Sequence, residues 1–247
     1  MEVINGAWYM KCCGREDPSR LRTVEAAAEL IRKIGFLPLF SNDIPGFSVE
    51  ERTCAADWWT DDPARDPWVW RQLLADRPDV VYGKFFDRRA GFVSSEFFPI
   101  FANYRRNGYD FDTRIDEGLA PHRERKLMQP FLTDGMPNDT TLYSFSLKAR
   151  AGFGPGGERN YEGVLTDLQM QTYLIIRAFR QRQNKKGQPF GWHLAVLGTP
   201  EAKLGYEAFE TAYKSAPEQA MEEIRVRVLR FFPGTEEAQM KKWLGIR

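Results

Sequence analysis

Three features of the sequence predict an α+β fold, mainly helical. Three helical segments between residues 121 and 170 precede two strand-like segments joined by a polar tip. A second strand–turn–strand pattern stands earlier, at residues 80–93. Helical segments then close the chain after residue 200. Three helices followed by a two-stranded hairpin is the order of a winged helix-turn-helix module, expected here over 121–200. The earlier hairpin suggests a degenerate copy within an α+β domain at 20–120. A tail at 1–19 and C-terminal helices at 201–247 complete the expected division.

Each element has a local reason. Leu21, Val24, Ala28, Leu30 and Ile31 mark one apolar face, and Gly35 ends that helix with a residue tolerant of the left-handed region. Asp66-Pro67 is a helix entry, with Asp as N-cap and Pro at the first position, running to Ala75. Val80–Phe86 and Ala90–Val93 flank the turn Asp87-Arg88-Arg89 as a hairpin. Ser94 or Ser95 caps a helix reaching Arg106, and the acidic segment 109–118 reads as a loop. Helices follow at 122–132, 140–151 and 158–169, the last entered through the turn Gly152-Phe-Gly-Pro-Gly-Gly157. Tyr173–Gln183 is a strand, Asn184-Lys-Lys-Gly187 the tip and Gly191–Leu197 the return strand. The remaining helices are expected at 201–215, 217–231 and 235–244.

The chain has 247 residues, enough to bury a substantial core. No apolar run approaches the roughly 20 residues of a membrane helix, and the start lacks the pattern of a secretory leader. Cys12, Cys13 and Cys54 show no metal-ligand spacing and read as free thiols in a reducing cytoplasm. No motif calls for a cofactor or a metal. Net charge is only +1, yet it is unevenly spread. Residues 1–120 carry 16 Lys/Arg against 20 Asp/Glu, whereas 121–197 carry 11 against 6. A basic module inside a neutral chain points to a polyanion, DNA or RNA, with duplex DNA the expected partner.

The third helix of the basic module buries Tyr161, Leu165 and Leu168, which turns Arg159, Asn160, Glu162, Thr166 and Asp167 outward. Arg and Asn bond bidentately to guanine and adenine edges. Arg177, Arg180 and Arg182 on the strand, with Lys185 and Lys186 at the tip, suit phosphate contacts that ignore sequence. Glu158, Glu162 and Asp167 oppose them. The same module, with its basic hairpin merely solvated, also fits a regulatory or protein-interaction role without catalysis.

Several strings stand out together: Gly156–Tyr173 and Asn184–Trp192, with Gly35–Leu39, Asp66–Arg71, Tyr82–Lys84 and Ala90–Val93 in the front half. They resemble a bacterial group related to the AlkZ crosslink-repair DNA glycosylases. The resemblance spans about residues 23–200. It implies tandem winged helices and an enzyme that excises alkylated bases or unhooks interstrand crosslinks. It also implies catalysis by a Gln-x-Gln or Gln-x-Asp motif near the front. The two Gln-x-Gln strings here, Gln169–Gln171 and Gln181–Gln183, both lie late. Their expected roles are therefore structural, Gln169 at the surface and Gln171 as a hydrogen-bonder.

Catalysis, if present, is expected from Asp61 and Asp62 beside Trp58 and Trp59. A carboxylate can stabilise an oxocarbenium-like sugar, and an aromatic face can hold an extruded base. A tryptophan-rich packing corner stapled by Asp-Pro turns is the plainer use of the same residues, and the preferred one. Asp110–Glu117 lacks the glycine of a calcium loop, and His122 and His193 have no partner at ligand spacing.

Overall fold

A computed structural model describes residues 2–4 and 7–245. The parts of the expected tail and C-terminal helices at residues 1, 5, 6, 246 and 247 lie outside the described residues. The fold class is α+β. β1 (Glu2–Ile4) pairs with β2 (Ala7–Tyr9), and the following segment is tied to the body by Lys11 N–H to Glu50 and Cys13 N–H to Thr53 C=O. The front half continues as α1 (Val24–Ile34), β3 (Phe36–Pro38), α2 (Pro67–Asp76), β4 (Val80–Phe86), β5 (Arg89–Ser94) and α3 (Phe98–Arg106). A short α4 (Phe111–Asp116) occupies the segment expected to be a loop.

The second half runs α5 (His122–Met128), the two-residue strands β6 (Leu132–Thr133) and β7 (Met136–Pro137), β8 (Leu142–Tyr143) and α6 (Ser144–Arg150). Then come α7 (Tyr161–Met170), β9 (Ile175–Gln183) and β10 (Pro189–Gly198). The helix expected at 140–151 is thus shortened, because Leu142 and Tyr143 pair with Leu197 and Val196 as an edge strand. Four helices close the chain: α8 (Glu201–Leu204), α9 (Tyr206–Ala212), α10 (Pro217–Phe231) and α11 (Glu237–Leu244). Gly205, at φ +85°, splits the single helix expected over 201–215.

Local chemistry explains the element ends. Thr23 caps α1 by accepting from Ala26 N–H, and Gly35 ends it at φ +98°. Asp66 accepts from Trp68 N–H at 2.8 Å, with Pro67 in the first turn of α2. Asp87 and Arg88 both take positive φ, so the β4–β5 turn has the handedness that matches strand twist.

One six-stranded sheet carries both hairpins, in the order β3-β5-β4-β9-β10-β8. That order is palindromic. In each half a short strand that follows a helix (β3 or β8) adds to the outer strand of a later hairpin. The two halves meet at Tyr82 and Ile176, paired across β4 and β9. The junction is closed: Tyr82, Phe92 and Phe179 pack together, with ring centroids 5.1 and 5.7 Å from Tyr82.

Phenylalanine builds much of the core. Phe36, Phe47, Phe85, Phe86, Phe98 and Phe101 are all fully buried, each worth about 1.5–3 kcal/mol by area. They sit where β3–β5 meet α3. The terminal helices are fixed to the front half by directed bonds. Arg227 donates to Ile34 C=O at 3.0 Å, and Asp43 accepts from Lys242 at 2.9 Å and from the Trp243 indole. No helix among the described residues is long and apolar enough to cross a membrane.

Candidate nucleic-acid interface

The outer half of the basic hairpin β9–β10 stands open to solvent. From Arg182 to His193 every residue is exposed, including Lys185 and Lys186 at the tip. Neither lysine ammonium has a partner among the described residues. Arg182 lies over the rings of Phe145 and Phe190, 5.7 and 5.3 Å from their centroids. Those rings are themselves 47% and 44% exposed, and Trp192 is 88% exposed. Cations interleaved with open aromatic faces suit a nucleic acid, since cations meet phosphate and rings stack on bases.

Arg180 belongs to a different environment. Its guanidinium is held by Asp76 through two bonds of 2.7 and 2.8 Å, so its charge is already answered within the chain. Arg177 is half-buried at the root of the hairpin, where burial lowers its pKa. Of the five basic residues expected on the hairpin, only Arg182, Lys185 and Lys186 are therefore free to meet a backbone.

The third helix of this half, α7, departs further from expectation. Thr166 does not face outward: it is 4% exposed and accepts from Lys84 Nζ at 3.3 Å. Arg88, at the tip of the β4–β5 turn, bonds Asp167 at 2.5 Å and reaches Gly163 C=O at 3.4 Å. The front hairpin thus covers this flank of α7, which cannot lie along a groove on that side. Arg159 and Asn160 are exposed just before the helix, and Asn160 takes the left-handed conformation at φ +65°. Of the three acids expected to repel phosphate there, Glu158 and Asp167 are answered within the chain, whereas Glu162 stands exposed in the first turn of α7. Glu158 accepts from Lys126 and Arg123, both at 3.0 Å, and these bonds hold its carboxyl down at about 2.

Gln169 is not a surface residue. It is 1% exposed, accepts from Lys84 N–H at 3.1 Å and donates to Leu165 C=O. Gln171 donates to Glu124 at 3.0 Å and accepts from Arg114, spending both ends of its amide in one network.

The Trp/Asp stretch divides into a packed part and an open part. Trp58 is buried, stacks on Phe40 at 5.7 Å and donates to Thr53 Oγ1 at 2.9 Å. It packs as a core residue and is closed to a base. Asp62 is also used locally, accepting from Ala64 N–H at 3.0 Å and pairing with Arg65 at 3.2 Å. Trp59 and Asp61 adopt left-handed conformations at φ +58° and +59°, unusual for such residues. Asp66 steadies this bend by accepting Asp61 N–H at 3.0 Å. Strain of this kind, roughly 1–3 kcal/mol per residue, concentrates at functional sites. Its consequence is that Trp59 is half-exposed, while Asp61 lines a recess and its carboxylate has no partner among the described residues.

That recess, about 380 Å³, draws on both halves of the chain. The front half supplies Asp61, Trp68, Arg71 and Gln72, and the hairpin supplies Gln181, Trp192 and His193. Arg71 lies 3.5 Å over the Trp68 ring and 4.6 Å over Phe179, which fixes the floor. An aromatic wall, amide and imidazole edges, one cation and one unpaired carboxylate can grip a planar polar ring. Trp192 lines this recess although nothing in the sequence marks it as a site residue, and Gln181 and His193, read there as a structural glutamine and a histidine without a partner, line it as well. The pairing of β9 with β10 sets Gln181 beside the Gly191-Trp192-His193 string, and its amide donates to Gly191 C=O at 2.8 Å. Among the described residues no group of three or more His, Cys, Asp or Glu side chains is placed to hold a metal ion.

No curated protein and no solved structure matches the chain. The family model described as AlkZ related matches residues 21–245, nearly the whole length. The chain belongs to the AlkZ-related family.

Proposed function

We propose that the chain is a tandem winged-helix protein that binds duplex DNA and receives an extruded, damaged base in the recess between its halves. The observation that carries this reading is the recess itself, which Asp61 lines together with Trp192 and His193 of the basic hairpin. The palindromic sheet order supports the tandem arrangement: in both halves, 20–120 and 121–200, a helix, a later short strand and a closing hairpin recur, with one helix between that strand and the hairpin in the first (α2) and two in the second (α6 and α7). The AlkZ-related family supports a role in DNA repair. In this reading Arg182, Lys185, Lys186 and Arg159 contact phosphates, Trp192 stacks on the extruded base, and Asp61 serves the sugar.

Trp192→Ala tests the reading. Stacking of one base on an aromatic ring is worth about 1–3 kcal/mol. Affinity for a duplex carrying one unpaired or alkylated base is expected to fall about tenfold or more, measured by fluorescence anisotropy. Affinity for an intact duplex should change much less, because an intact base costs more to unstack. Equal losses on both duplexes would remove base capture from the account. A second reading, a non-catalytic interaction module, is favoured by the closed aromatic junction at Tyr82 and Phe179. It predicts no preference for the damaged duplex in wild type.

A further inference from the structure

A second recess, about 540 Å³, lies at the root of the β9–β10 hairpin, lined by Asp76, Tyr143, Arg177, Arg180 and Lys203 among others. Its charges do not balance. Arg180 and Asp76 neutralise each other through their two bonds. Arg177 has no hydrogen bond or ion pair among the described residues, and the carboxylate of Asp139 acts on it only electrostatically. Lys203 donates one bond, to Ala75 C=O at 2.8 Å, leaving two N–H groups unspent. The other carboxylate whose field reaches Lys203, Asp79, is already bonded by Arg77 at 2.8 and 2.9 Å. Two half-buried cations therefore share one pocket without counter-charges of their own.

We infer that this recess is a binding site for a phosphomonoester dianion, held between Arg177 and Lys203. Two unanswered positive charges match the two negative charges that a phosphomonoester carries above pH about 6. A guanidinium offers a fork of N–H donors to its oxygens, and the ammonium adds a point charge. An internal phosphodiester is a poorer match, having one charge and two chain substituents that hold it out of a recess. The ligand is thus the end of a phosphorylated strand or a free phosphate.

Burial, and then repulsion from Arg177, bring the Lys203 ammonium down to about 8. Asp76 and Asp79 act in the other direction but do not cancel these effects. Since the charged lysine is the binding form, affinity declines as pH rises through about 8. The ligand loses its second charge below about pH 6, so binding is strongest between the two.

The strand-end case rests on the DNA-binding reading, whereas the phosphate site stands without it, and the test separates them. Inorganic phosphate is titrated calorimetrically into the full chain. Two otherwise identical DNA strands, one 5′-phosphorylated and one 5′-hydroxyl, are compared by anisotropy. Phosphate is expected to bind at pH 7, with affinity falling at least tenfold in both Arg177→Gln and Lys203→Gln while their melting temperatures stay near wild type. Tenfold tighter binding of the phosphorylated strand, abolished in both variants, identifies a strand end as the source. Phosphate binding without that gain identifies a small phosphate, and holds even if no DNA binds. Absence of phosphate binding, or binding unchanged in both variants, overturns the inference.

Discussion

Replacing Arg106 with methionine is expected to destabilise the protein by about 3–5 kcal/mol, the cost of leaving a buried charge without its partner. That is a large part of the roughly 5–15 kcal/mol holding an ordinary domain together. Arg106 is 4% exposed and ties three parts of the chain. From the end of α3 it donates to Glu201 at 2.5 Å, to the Thr172 hydroxyl and carbonyl at 3.2 and 2.9 Å, and to Tyr213 at 2.8 Å. Its guanidinium also lies 4.5 Å over the Tyr173 ring. Burial works against its charge, but the fields of Glu201, Tyr213 and Tyr173 outweigh that and hold the group charged. Methionine keeps much of the volume and strands Glu201, itself only 7% exposed. Denaturant melts should show the loss, and Arg106→Met with Glu201→Gln should recover part of it. A single-variant loss below about 1 kcal/mol would mean that the charge is dispensable.

Asp61→Asn is expected to lower release of an alkylated base from duplex DNA by about 100-fold or more, the usual range for removing a positioned acid–base group. Asparagine preserves shape and removes the charge that steadies a developing oxocarbenium ion. DNA affinity should stay within about threefold, since the change adds no bulk and removes no cation. Asp62→Asn is the control and should release base nearly as wild type does, because that carboxylate is committed to Ala64 N–H and Arg65. Gln171→Ala should also remain active, since its amide is spent on Glu124 and Arg114. Loss confined to Gln171→Ala, with folding intact, would return the chemistry to the glutamine motif. No release by wild type from any alkylated duplex would favour the non-catalytic reading.

Local elements are legible because local chemistry specifies them. The spacing of Ala28 and Ile31 with Gly35 marks α1, Asp66-Pro67 marks the entry of α2, and β-branched residues mark β9. Long-range pairing is not legible. Nothing in either segment announces that Tyr82 faces Ile176, yet this one pair merges two hairpins into one sheet. The same pairing explains the misplaced site residues. Periodicity turns Thr166 outward, but it carries no information that Lys84 and Arg88 arrive from the front half to cover that face. β8 is hidden inside an expected helix because two residues have no period to read. Asp61 is visible as an acidic residue among tryptophans, but its separation from Asp62 depends on a left-handed bend that only the fold displays. Lys203 stands in an ordinary helical run, and its role depends on Arg177 reaching the same pocket.

If the β9–β10 hairpin lies against a DNA backbone, as proposed, the salt dependence of binding shows it most directly. Duplex affinity is measured by fluorescence anisotropy at several salt concentrations, for wild type and for a variant with Arg182, Lys185 and Lys186 changed to Ala. Each phosphate that is no longer neutralised by a side chain should flatten the log–log slope by about 0.9 on duplex DNA. Arg180→Ala provides the internal reference and should leave the slope nearly unchanged, because Asp76 already answers that charge. A flatter slope in the triple variant, with Arg180→Ala near wild type, is the predicted result. A triple variant with the wild-type slope would contradict the account, because the hairpin would then not be at the backbone.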